Sequence, residues 1–128
     1  MPDIKLTLSK DTKFHAPSEA EEAARMRQEG ELVYPLPSKP TKALPGCMVY
    51  FIRDGQLVAR ARAKDFINAS QIQQGLYSYT GEPTEVTDWN VVCEDMELAA
   101  QPIAHPGFQG FQYVTQAEQE QFEDAFTK

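Results

Sequence analysis

A chain of 128 residues, 41% hydrophobic and 24% charged, has the make-up of one globular domain spanning 1–128, long enough to enclose a core. Its net charge of −7 excludes nucleic-acid binding through overall charge, and no apolar run reaches the length of a membrane span. Cys47 and Cys93 lack CxxC spacing and Met1 to Lys5 shows no signal-peptide core, so a cytoplasmic protein with reduced cysteines is expected.

Asp3 to Ser9 alternates Ile4, Leu6 and Leu8 with Lys5, Thr7 and Ser9, the pattern of a half-buried strand. Ser18 and Glu21 have the spacing of a capping box. They predict a helix over about 19–29, closed by Gly30, with Ala20, Ala23 and Ala24 turned inward and Met26 to one side. Glu31 to Tyr34 suits a short strand. Four prolines between Pro35 and Pro45 then forbid regular ladder pairing, so an extended connection spanning the domain is expected.

The most legible stretch follows. Met48-Val-Tyr-Phe-Ile52 is β-branched and aromatic, Gln56 to Ala63 answers it, and Asp54-Gly55 between them suits a type I′ turn. Strands at about 48–53 and 56–63 are therefore predicted, paired antiparallel. An unbroken two-residue hairpin sets Ile52 opposite Leu57, Phe51 opposite Val58, Tyr50 opposite Ala59 and Val49 opposite Arg60. One face then carries Met48, Tyr50, Ile52, Leu57, Ala59, Ala61 and Ala63. The other carries Val49, Phe51 and Val58 with Arg60 and Arg62.

Phe66 to Ile72 reads as a helical turn or loop, and Leu76-Tyr-Ser-Tyr-Thr80 as a strand. Trp89 to Cys93 is another strand, continued through Met96 and Leu98 after an acidic bulge at Glu94-Asp95. Pro102 to Gly110 reads as a loop containing His105, and Phe111 to Val114 as a last strand. Thr115 and Glu118 form a second capping box that opens a helix over about 116–126, with Phe122, Ala125 and Phe126 on one face. The elements sum to an α+β domain, a small, mostly antiparallel β-barrel with a helix near each end.

Leu44-Pro-Gly-Cys-Met-Val-Tyr-Phe-Ile-Arg-Asp-Gly-Gln-Leu-Val-Ala-Arg-Ala-Arg-Ala63 resembles the centre of PUA-like domains, including the ASCH and EVE groups. The resemblance implies a pseudobarrel holding RNA, a modified nucleotide or a small ligand beside the barrel. ASCH-type amidohydrolases carry a Gly-x-Lys-x-x-Glu stretch. Here Gly30 is followed by Glu31 and Leu32, and Thr41-Lys42 has neither the preceding glycine nor a glutamate three residues on.

Charge is distributed unevenly. Six of the 12 basic residues, Lys39, Lys42, Arg53, Arg60, Arg62 and Lys64, fall between Ser38 and Lys64, while Asp65 to Thr127 holds 11 acidic residues and no Lys or Arg. A basic patch on an acidic body focuses the field on an anion. Arg60 and Arg62 share a strand face, from which two guanidiniums reach one phosphate, or else pair with the acidic C-terminal helix. Tyr77, Tyr79 and Trp89 are candidates for stacking on a base, with cross-strand packing as the other use of such a pair. Lys39 and Lys42 are the alternative cations. His105 and His15 stand alone, Glu94-Asp95 with Glu97 lacks calcium-loop spacing, and no zinc, P-loop, dinucleotide or nucleophile motif occurs, so no metal, cofactor or catalytic residue is assigned. Three readings stay open: a binding module for RNA or another anionic ligand, an acidic factor for a basic protein partner, and an amidohydrolase needing a Lys or His against a carboxylate in a cleft.

Overall fold

In the computed structural model, which describes residues 2–8, 18–36, 38–68, 89–108 and 111–127, six strands form one mixed sheet. They are β1 (Ile4–Thr7), β2 (Leu32–Leu36), β3 (Met48–Arg53), β4 (Gln56–Asn68), β5 (Trp89–Ala104) and β6 (Phe111–Tyr113). Their spatial order is β2-β5-β4-β3-β1-β6. Among the described residues two helices, α1 (Glu19–Glu29) and α2 (Gln116–Phe126), accompany the sheet in this α+β half-barrel. The expected strand at Leu76–Thr80, with Tyr77 and Tyr79, lies outside the described residues, as does His15.

The turn between β3 and β4 forms as its chemistry demands. Asp54 and Gly55 both take positive φ, 53° and 74°, which Asp tolerates and Gly adopts freely. The pairing then departs from an unbroken hairpin. Ile52 faces Leu57, but the next pair is Phe51 with Ala59, followed by Tyr50 with Arg60, Val49 with Ala61 and Met48 with Arg62. Val58 is an extra residue, a bulge that no turn rule announces. Past it every β4 side chain changes faces relative to the expected register. Ala59, Ala61 and Ala63 join Val49 and Phe51 in the barrel interior, while Tyr50, Ile52 and Leu57 sit under α2. Arg60 and Arg62 therefore lie on the Tyr50 face, not beside Phe51 and Val49.

Both helices match their expected limits. Ser18 Oγ accepts from the Glu21 amide at 3.2 Å, and Gly30 closes α1 in the left-handed region. The inward face of α1 is Glu22, Ala23 and Met26, with Ala20 and Ala24 exposed, so the all-alanine face is corrected. Glu22 is fully buried because the Tyr34 hydroxyl donates to its Oε2 at 2.6 Å. Burial, then the Glu22 charge, pushes the Tyr34 hydroxyl well up. In α2 the reciprocal capping box is complete, and Phe122, Ala125 and Phe126 pack on the sheet. Tyr50 holds both rings, at 5.1 Å from Phe122 and 6.0 Å from Phe126.

Three further expectations are refined. β2 extends through Pro35 to Leu36, which is allowed because β2 is an edge strand. β5 does bulge at Asp95, whose φ is 56°, but it continues through Pro102 to Ala104. β1 pairs parallel with β3 and antiparallel with β6, and this central place buries Lys5 along with Ile4, Leu6 and Leu8. No helix of the described residues is long and apolar enough to cross a membrane.

Candidate functional site

The two edges of the bent sheet, β2 and β6, are brought together by the segment Ser38 to Cys47. Its end is fixed to β4, where Gly46 donates to Ala63 O at 2.7 Å and Ala63 donates to Cys47 O at 2.8 Å. Its middle is fixed to β6, where the Lys42 amide donates to Tyr113 Oη at 3.0 Å. Proline makes such a crossing workable, since the segment needs few partners for its amides. Pro40 and Ala43 point into the molecule, while Lys39, Lys42 and Leu44 face out, Leu44 at 58% exposure.

Each lysine of this segment sits over a ring. Lys39 Nζ lies 4.9 Å from the Trp89 ring centre, next to the β2 edge, and Lys42 Nζ lies 5.8 Å from that of Tyr113, on the β6 edge. Both are within cation–π reach. Neither has a carboxylate partner among the described residues. Tyr113 also meets Phe111 edge to face at 5.5 Å, and both rings pack against the barrel core with one side toward solvent. Burial pushes the Tyr113 hydroxyl up, but the Lys42 amide, Thr41 and the Lys42 charge outweigh it and leave it below the usual tyrosine value.

The other candidate cations are placed differently. Arg60 Nε donates to Glu97 Oε1 at 3.0 Å and its Nη1 to Glu123 Oε1 at 2.9 Å, while its guanidinium lies 4.2 Å from the Phe126 ring centre. Arg62 Nη2 donates to Asp95 Oδ2 at 2.6 Å. Lys64 bonds Glu31 at 2.8 Å. The structure thus brings Lys39 to Trp89, and holds Arg60 and Arg62 among carboxylates of β5 and α2.

One cluster escapes sequence reading. Lys5, only 5% exposed, reaches Glu118 Oε2 at 2.5 Å and His105 Nε2 at 3.1 Å, with His105 Nε2 also 3.2 Å from Glu118 Oε2. Strand alternation placed Lys5 on the wet side, and nothing local reports that α2 returns to cover it. Burial alone would raise the Glu118 carboxyl, but Lys5, the Thr115 amide and His105 together bring it down to about 2. The cluster meets the Lys-to-carboxylate half of the hydrolase requirement, with the Phe108 ring against Lys5 and His105 and the Phe122 ring against His105. The thiols are masked too, as burial pushes Cys47 up to about 11 and Cys93 well up. Among the described residues no group of three or more His, Cys, Asp or Glu is placed to hold a metal.

No family model matches the chain, and no curated protein matches it. Solved structures do. ASCH from Zymomonas mobilis is 11% identical with a TM-score of 0.64, the match covering 98% of this chain and 96% of that one. A single-substitution variant of the same bacterial protein gives 11% identity, a TM-score of 0.65, and coverage of 98% and 99%. The chain therefore has the ASCH, PUA-like fold along almost its whole length.

Proposed function

We propose that this protein is a binding module for single-stranded RNA or a similar nucleotide-like polyanion, and that the strand lies along the Ser38–Cys47 segment. The observation that supports it best is the pairing of two cations with two half-exposed rings, Lys39 on Trp89 and Lys42 on Tyr113, with no carboxylate partner for either among the described residues. Lysine supplies phosphate attraction, and the rings supply faces on which unpaired bases stack whatever their sequence. Exposed Leu44 adds apolar surface on the same segment. Arg60 and Arg62 are secondary in this reading, because three carboxylates already face them.

The test is titration with short single-stranded RNA at two salt concentrations. Each charge-assisted contact is worth ~1.5–3 kcal/mol, so Lys39→Ala/Lys42→Ala is expected to weaken binding by about a hundredfold and to flatten the salt slope. Arg60→Ala/Arg62→Ala is expected to change affinity by less than about threefold, the scale of exposed pairs. Absence of wild-type binding at low salt removes this reading and favours an acidic surface for a basic protein partner. A larger loss in the arginine variant moves the site to β4.

A further inference from the structure

A second concave surface lies on the α1 side of the sheet and shares no residue with the one above. A cleft of about 420 Å³ opens between the last turn of α1 and the bulge of β5, lined by Met26, Arg27, Gly30, Asp95 and Met96. That volume lies in the range of small-molecule sites. Each wall carries a left-handed residue, Gly30 with φ 86° and Asp95 with φ 56°. A Cβ at Gly30 would meet nothing within 4 Å, so the space above it is open.

The lining is apolar in its floor and cationic at its rim. Met26 belongs to the barrel core and is only 2% exposed, so the accessible apolar surface of the cleft is chiefly Met96, which packs against that core from β5. Its thioether is polarisable and makes favourable contacts with aromatic rings. Arg27 is exposed and has no carboxylate partner among the described residues. The Asp95 charge is answered by Arg62 at 2.6 Å, so among the described residues Arg27 remains as the uncompensated charge lining the cleft. We infer that this cleft binds a small aromatic anion, its flat apolar body on Met96 and its charged group on Arg27. Charge complementarity selects an anion over a cation or a neutral ring, and the half-buried Met96 thioether selects a ring over a bare inorganic ion.

The full chain is titrated with anilinonaphthalene sulfonate, an aromatic anion, and with phenylnaphthylamine, its uncharged relative, both followed by fluorescence. Saturable binding of the sulfonate at a single site is expected. Arg27→Ala should weaken it by about tenfold or more while leaving the neutral dye unaffected, since only a charge-assisted contact is removed. Met96→Gln should weaken both dyes. Arg25→Ala, on the same helix but outside the cleft, should change neither. Amide resonances shifted by the sulfonate in the wild type should cluster at Gly30, Asp95 and Met96, a readout that needs no variant. The inference is overturned if the wild type shows no saturable binding, if Arg25→Ala and Arg27→Ala act alike, or if the shifted amides lie elsewhere. Loss of the signal in Lys39→Ala/Lys42→Ala would also overturn it, by placing the dye on the proposed RNA surface.

Discussion

The cations of β4 and those of the Ser38–Cys47 segment are close in sequence and opposite in circumstance. Arg60 and Arg62 face Glu97, Glu123 and Asp95, so two guanidiniums stand among three carboxylates and their surroundings are net negative. Lys39 and Lys42 face Trp89 and Tyr113, which attract a cation without cancelling its charge. An anion approaching β4 must displace or endure carboxylates, whereas one approaching the Ser38–Cys47 segment meets two lysines that have no carboxylate partner among the described residues. A run of basic residues therefore says little until the partners supplied by distant strands and helices are known.

The strongest way to break this contrast is to remove what holds α2 over β4. Phe122 is almost fully buried against Tyr50, and Phe122→Ala should cost ~3–5 kcal/mol, enough to lower the Tm by many degrees. An unchanged Tm would mean that α2, and Glu123 with it, is not docked as described.

A smaller effect concerns the buried cation, Lys5. The Glu118 carboxyl is held at about 2, below its ordinary 4.5, so its contribution to stability is complete above about pH 4.5 and is lost as pH falls through about 2. That contribution should be on the order of 1–2 kcal/mol after allowance for the water that reaches Glu118. Denaturant titrations between pH 5 and 2 should show a steeper decline for the wild type than for Glu118→Gln; parallel curves would count against the cluster.

The smallest effect sharpens the comparison directly. Glu97→Gln/Glu123→Gln leaves Arg60 in place and strips its counter-charges. Exposed pairs are each worth ~0.2–1 kcal/mol, so this variant, losing two, should bind single-stranded RNA about two- to thirtyfold more tightly than the wild type. No gain would show that the carboxylates are not what silences β4.

Much of the scaffold was legible because its signals are local. Asp54-Gly55 carries its own turn geometry, and Ser18, Gly30, Thr115 and Glu118 mark helix ends by hydrogen bonds within a few residues. The bulge at Val58 is not local, since it depends on how β4 must bend to meet both β3 and β5. That one residue reassigned Arg60 and Arg62 to the face that α2 covers. Lys5 was illegible for the same reason, because its partners lie 100 and 113 positions away. Trp89 and Lys39 were each named as candidates, but only the closure of the sheet edges joins them. Tyr77 and Tyr79 lie outside the described residues.

The placement of β1 has a consequence for how the chain is made. β1 leaves the ribosome before both of its neighbours, β3 and β6, and β6 follows all the other described strands. During synthesis β1 can zip onto β3 as soon as the hairpin emerges, but its other edge then stays bare until Phe111 to Tyr113 arrives. The amphipathic α2 comes later still, so the apolar patch of Tyr50, Ile52 and Leu57 is uncovered for the same interval. Nascent chains stalled before Phe111 should therefore be sticky, through an open edge and a bare patch at once, and should need a holding chaperone that the finished domain does not.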